Sequence, residues 1–150
     1  MLAIQEQLFQ LCLTDIDERV AVLRASIAEA RDAQQNDTKS SAGDKFETTR
    51  EMMTQQIETL SLQLSEVEAQ RHQLLSISNV APAAQIQAGS VVYTDAANFY
   101  ISVSVGTKRL NNDVFICLSA SSPLGKLLVG KTAGDEISFN KKQYIVKAIS

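Results

Sequence analysis

In SSAGDKFETTREMM, residues 40–53, Asp44 and Glu47 stand three positions apart and bracket an aromatic residue, Phe46. On a helix that spacing projects both carboxylates from one side of a single turn. Paired oxygen ligands suit Mg²⁺, which takes an octahedron of oxygens and usually keeps several waters. Two carboxylates alone make a loose site that other molecules have to complete. Hydrolysis of a phosphodiester by two metals uses such sites: one ion generates hydroxide and the other steadies the leaving oxygen. The same pair has a purely structural use, with Asp44 as helix N-cap and Glu47 as its capping-box partner at the positive end of the helix dipole. Phe46 likewise has two readings, a staple packed across the turn or a wedge against a partner.

Other chemistry is sparse. Cys12 and Cys117 fall in different halves, on patterns that suit small buried residues, and form no CxxC. The single histidine, His72, has no ligand-like neighbours in sequence. The spacing rules therefore point to buried thiols rather than a zinc site or a disulfide, and give no basis for cysteine–histidine catalysis. No Walker loop, GxSxG, HExxH or dinucleotide fingerprint is present, which argues against a self-contained enzyme.

Two long helices must position the acidic pair. Leu8, Cys12, Ile16, Val20, Leu23, Ile27 and Ala30 recur every three or four residues, and so do Met53, Ile57, Leu60, Leu64, Val67, Arg71 and Leu74. Each set is a seam on one helix face, with Arg71 a long stem that snorkels outward. Neither helix buries its stripe alone, so the expectation is an antiparallel coiled-coil hairpin over residues 1–78, folding back at residues 33–46. The acidic tip then spans about residues 33–47, at the end of an arm roughly 45 Å long.

Residues 79–87 contain Pro82 and no helical stripe, and read as a linker. Short β-like runs follow at 90–94, 99–105, 113–119, 136–139 and 143–149, separated by turn-forming residues. One short helix interrupts them, with Ser121 or Ser122 as N-cap, Pro123 in the first turn and Gly130 as the stop. Its Leu124, Leu127 and Leu128 are expected to lie on the sheet. Residues 88–150 thus form a small antiparallel sheet carrying one helix, and the whole chain is α+β.

Charge divides along the same line. Residues 1–78 hold 13 acids against 7 bases, and residues 79–150 hold 4 acids against 7 bases. An acidic arm on a mildly basic body lacks the concentrated basic face of a general DNA binder and suits a protein partner. No apolar run approaches the roughly 20 residues of a membrane span, and no signal-like core follows a basic start. The expectation is a cytoplasmic protein with no membrane partner and no small-molecule substrate.

These residues carry a resemblance. SSPLGKLLVGKTAGDEISF followed by KKQYIVKAI resembles the C-terminal signature of the bacterial transcript cleavage factors GreA and GreB. SIAEARD resembles the end of their first coiled-coil helix, and GDKFET resembles their acidic tip, which runs Gly-Asp-x-x-Glu. The resemblance covers nearly the whole chain in order. It implies an FKBP-like C-terminal domain that docks at the rim of the RNA polymerase secondary channel while the coiled coil enters it. Asp44 and Glu47 would be the catalytic acids, helping to hold Mg²⁺ near the RNA 3′ end only in the complex with polymerase; the isolated protein would need no cofactor. Arg31 matches the arginine ending the first helix, and Pro123, Gly130, Lys131, Gly134 and Asp135 match the C-terminal signature. With Phe46 these are the candidate partner-binding residues; Lys39, Lys45 and Arg50 are candidate contacts that offset repulsion between acids and RNA.

The tip departs from the family pattern. Thr48, Thr49, Arg50 and Glu51 stand where the family has Asn-Ala-Glu-Tyr, and the segment from Asp32 to Gly43 is longer than the usual link. The resemblance therefore implies one of two accessory functions, neither an enzyme by itself. One is an elongation factor that stimulates the polymerase's cleavage of backtracked RNA. The alternative is a channel-occupying regulator that binds without promoting cleavage. Proline isomerisation, suggested by an FKBP-like fold alone, fits poorly because the chain has no Trp, 3 Tyr and 5 Phe with which to line an aromatic pocket.

Overall fold

The computed structural model describes residues 3–40, 44–78 and 80–150, with side chains for 3–36, 47–78 and 80–150. The chain is α+β: two long helices, α1 (Ile4–Ser40) and α2 (Asp44–Leu75), precede a six-stranded mixed sheet with one short helix. It divides into two compact units, one formed by Ile16–Gln70 and the other by the chain on both sides of that segment.

In the helical unit the expected seams are the sheltered positions. Ile16, Val20, Ile27 and Ala30 of α1 are buried, and Met53, Ile57, Leu60, Leu64 and Val67 of α2 are half-buried between exposed neighbours. Arg24 bonds Glu68 at 3.0 Å and Gln34 bonds Thr54 at 3.0 Å. As one index rises the other falls, so α1 and α2 run antiparallel along this stretch.

The fold-back differs from expectation. Residues 33–40 continue α1, which runs 37 residues to Ser40, and residues 44–46 already belong to α2, so the turn expected over residues 33–46 occupies neither stretch. Ala33, Gln34, Gln35 and Lys39 are good helix formers. Asn36 and Ser40 cost only a few tenths of a kcal/mol to about 0.7 kcal/mol each, and no glycine or proline intervenes before Gly43. Residues 41–43 lie outside the described residues.

The second unit holds β1 (Val91–Thr94), β2 (Asn98–Ser102), β3 (Gly106–Leu110), β4 (Asp113–Ser119), α3 (Pro123–Leu128), β5 (Glu136–Phe139) and β6 (Lys142–Ile149). The spatial order is β3-β4-β2-β1-β6-β5. The sheet is mixed, not antiparallel as expected, because β2 and β4 pair in parallel with Tyr100 opposite Cys117. The cause is β3, whose sequence GTKRL has no apolar alternation and gives no strand signal. It forms an outer hairpin with β4, so β4 returns beside β2 in the same direction. Asn111 and Asn112 at φ 52° and 72° make that hairpin turn, and Asn140 and Lys141 at 51° and 65° make the one between β5 and β6. Two successive positive φ values match the twist of tight hairpins, and asparagine tolerates them better than other residues that carry a side chain.

Both sheet faces are covered. On one, Ile86, Val92, Phe99, Ile101, Leu118, Leu128, Ile137 and Val146 form a hydrocarbon core. Ile86 comes from the irregular segment between α2 and β1, so that connection also contributes to packing. On the other, Gln5 of α1 donates to the carbonyls of Gly89 and Ser150 at 3.0 and 2.9 Å, and Leu8, Cys12, Tyr100 and Cys117 are buried. Helix α3 is capped by Ser122, whose hydroxyl accepts from the Gly125 amide at 3.1 Å. Leu124 and Leu128 pack on the core as expected, but Leu127 is 41% exposed. The buried side of this six-residue helix is completed instead by Gly125. A Cβ there would stand 2.0 Å from the Ser119 carbonyl oxygen, so only glycine fits.

Candidate functional site

The acidic pair occupies the beginning of α2. Asp44 is the first helical residue and Glu47 lies one turn on, exposed. The backbone of both residues is helical, three positions apart. The side chains of Asp44 and Phe46 lie outside the described residues, as do those of Lys39 and Lys45. Arg31 is exposed on α1. It lines a shallow cavity of about 330 Å³ with Gln34, Thr54, Ile57 and Glu58, where Thr54 Oγ1 also donates to the Arg50 carbonyl at 2.9 Å. A hydroxyl returned to the preceding turn holds this part of α2 locally satisfied.

No three His, Cys, Asp or Glu side chains converge on a metal-sized site among the described residues. An exposed Glu47 fits Mg²⁺ as a peripheral ligand, since this ion tolerates one or two protein carboxylates when water and phosphate oxygens fill the remaining positions. His72 is exposed in the last turn of α2.

The C-terminal candidates flank α3. Pro123 is exposed at the first turn of α3, where its missing N–H costs nothing. Gly130 follows the helix at φ 89°, a backbone conformation that favours glycine. Its amide donates to Ile86 at 2.8 Å while the Ile86 amide donates to the Lys131 carbonyl at 2.8 Å. These two bonds draw Ile86 into the core. Gly134, at φ 95°, donates to Val146 at 2.7 Å, and Val146 donates back to Asp135 at 2.9 Å. The Asp135 carboxylate accepts from the Thr132 amide and hydroxyl at 2.8 and 3.2 Å, and those bonds hold its pKa below the usual value. Each signature residue whose bonds are described thus has a fold-building role. Gly130, Lys131, Gly134 and Asp135 lie together in the loop between α3 and β5, whereas Pro123 stands at the other end of α3.

A second cluster went unseen in the sequence. Cys12 and Cys117 are both buried, as expected, but their sulfurs lie 3.6 Å apart across 105 positions of chain. Lys108 and Asp15 form a partly buried ion pair near them. The hydrogen bond shared with Cys12, reinforced by burial, pushes the Cys117 thiol up, whereas the same bond lowers Cys12, aided by Ser102 and Lys108 and opposed by burial. Burial also raises the Tyr100 phenol. Nothing in local spacing could reveal this cluster, because helix packing on the sheet creates it.

No protein-family model matches this chain, and no curated protein matches it significantly.

Proposed function

We propose that the protein is an accessory factor of bacterial RNA polymerase of the GreA/GreB kind, using an α-helical hairpin to present Asp44 and Glu47 inside the secondary channel. The observation that carries this reading is the placement of the acidic pair at the start of α2, directly after the long α1, with Glu47 exposed. Antiparallel helices with facing apolar seams are consistent with a coiled coil. The sheet-and-helix unit, read as FKBP-like, provides the docking body through Pro123, Gly130, Lys131, Gly134 and Asp135. Arg31 and Phe46 then contact the channel wall.

Asp44 and Glu47 would help to hold Mg²⁺ in the complex, where the ion would supply Lewis acidity toward water. The chain's own contribution is charge and position. A long rigid helix brings carboxylate oxygens to a metal whose other ligands are already in place, and the exposed side chain of Glu47 is free of the desolvation cost that burial imposes.

A second reading keeps docking without cleavage, favoured by the divergent residues Thr48, Thr49, Arg50 and Glu51 and by the continuation of α1 to Ser40. One assay separates the two. Stalled, backtracked elongation complexes are incubated with Mg²⁺ and either wild type or Asp44→Ala/Glu47→Ala. Wild type is expected to shorten the transcripts, and the double variant to do so at least about tenfold more slowly, the scale found when groups around a metal are removed. Unshortened transcripts with wild type, combined with competition against a genuine cleavage factor, would select the regulator. Neither shortening nor competition would reject both.

A further inference from the structure

The thiol pair on the α1 side of the sheet has a built environment that simple packing does not require. Cys12 is carried by α1 and Cys117 by β4, and their sulfurs touch at 3.6 Å. Two further observations bear on what the pair does.

Ser102 faces Cys12 from β2. Its hydroxyl is buried and has no partner in hydrogen-bond geometry among the described residues; the Cys12 sulfur, whose ionised form it favours, is the polar group it faces. A buried donor without an acceptor is costly, and such exceptions mark redox or catalytic sites as well as strain. An anionic or oxygenated sulfur on Cys12 would be the acceptor that Ser102 lacks. On the same side of the sheet, a cavity of about 390 Å³ is bounded by Glu6, Phe9, Gln10, Gly89 and Tyr100. Phe9 precedes Cys12 by one helical turn, and Tyr100 sits opposite Cys117 in the β2–β4 register. The two sulfurs do not line that cavity themselves, so a peroxide has to pass Phe9 or Tyr100 to reach them.

The geometry points to Cys12 and Cys117 as an oxidisable pair that a hydroperoxide converts into an intramolecular disulfide, joining the first turns of α1 to β4. In the first step the Cys12 sulfur attacks one peroxide oxygen, the O–O bond breaks, and the departing oxygen leaves as water after taking up the thiol proton. Cys12 becomes a sulfenic acid, with Ser102 as hydrogen-bond donor to it. In the second step the Cys117 sulfur attacks the Cys12 sulfur, the S–O bond breaks, and a second water leaves with the Cys117 proton. Two thiols and one hydrogen peroxide give one disulfide and two waters; the sulfurs lose two electrons and the peroxide gains them. A dithiol reductant reverses the process by exchange. Cys12 is the attacking sulfur because it is the thiol that the Ser102 hydroxyl faces, and that hydroxyl stabilises negative charge developing on it. The inference is independent of any polymerase partner.

The test uses the native full chain with hydrogen peroxide, quenched by alkylation and followed by intact mass and non-reducing peptide mapping. The expected product is a monomer two hydrogens lighter, with both thiols lost together, one cross-link between the Cys12 and Cys117 peptides, and full recovery on dithiothreitol. Cys117→Ala should stop at a sulfenic acid on Cys12 that dimedone traps, and Ser102→Ala should slow thiol loss several-fold while circular dichroism stays unchanged. Should that alanine variant misfold, the wild-type map still decides the matter. Cross-links between molecules, over-oxidation of one cysteine without a cross-link, or thiol loss that occurs only in denaturant would each overturn the assignment. An unchanged oxidation rate in folded Ser102→Ala would remove Ser102 from the site.

Discussion

The two faces of the sheet use different chemistry on the same strands. One face is hydrocarbon: Val92, Phe99, Ile101 and Leu118 meet Ile86 and Leu128 with no polar atom among their side chains. The other, one residue along each strand, carries Tyr100, Ser102 and Cys117 against Cys12, with the Lys108–Asp15 pair close by. Alternation along a strand makes such a division possible, since adjacent side chains point to opposite faces. The hydrocarbon face gains cohesion from area and shape alone. The other face also buries Leu8, Val91 and Phe115, but the polar groups set among them need partners, and Ser102 has none among the described residues. The contrast teaches that cohesion and reactivity have been assigned to opposite sides of one sheet.

The largest expected effect tests the cohesive side. Phe99→Ala deletes a fully buried ring that also makes an edge contact with Tyr144, centroids 5.6 Å apart. Urea denaturation should show a loss of about 3–5 kcal/mol, the range for truncating a buried aromatic. A loss below about 1 kcal/mol would mean that the face tolerates a void and is not the cohesive one.

A smaller effect tests the polar side. Lys108→Met removes one member of a pair whose side chains are only 18% and 20% exposed. We expect a loss of about 1–2 kcal/mol, because a carboxylate in a partly dry setting loses a charged donor. Arg24→Met provides the contrast, since that pair, 65% and 45% exposed, belongs to the range of about 0.2–1 kcal/mol for open ion pairs. Equal losses in the two variants would show that Lys108 is as well solvated as Arg24.

Legibility in the sequence followed the range of the interaction. The helical seams were readable because a single apolar stripe imposes a spacing of three to four, and residues from Ile16 to Ala30 shelter as that spacing requires. The Ser122–Pro123 start and Gly130 stop of α3 were readable from local capping chemistry. Strand β3 was not, because an edge strand with one face in water needs no apolar alternation, and with it went the parallel pairing of β2 and β4. Residues 33–40 carried turn-forming types, yet helix continuation costs them little. For the candidate site, the expectation kept Asp44 and Phe46 in the turn, whereas α2 begins at Asp44, where an acid meets the positive end of the helix dipole. The thiol pair was not, since 105 positions separate its members and only the docking of α1 on β4 brings them together.

The smallest expected change in stability separates the two faces most sharply. Ser102→Ala removes a buried hydroxyl that has no hydrogen-bond partner among the described residues. Truncating a satisfied buried hydroxyl ordinarily costs about 1 kcal/mol; here the lost oxygen takes its own desolvation penalty with it, so the midpoint in urea should move by less than about 0.5 kcal/mol in either direction. The same substitution is expected to slow peroxide oxidation of the thiols several-fold. A residue that matters for reaction and not for folding is the opposite of Phe99, which should matter for folding and leave the chemistry of Cys12 alone. If Ser102→Ala instead destabilises by more than about 1 kcal/mol, the hydroxyl has a partner such as a bound water. The polar face would then be held together by satisfied bonds after all, and the division of labour across the sheet would fail at its most specific point.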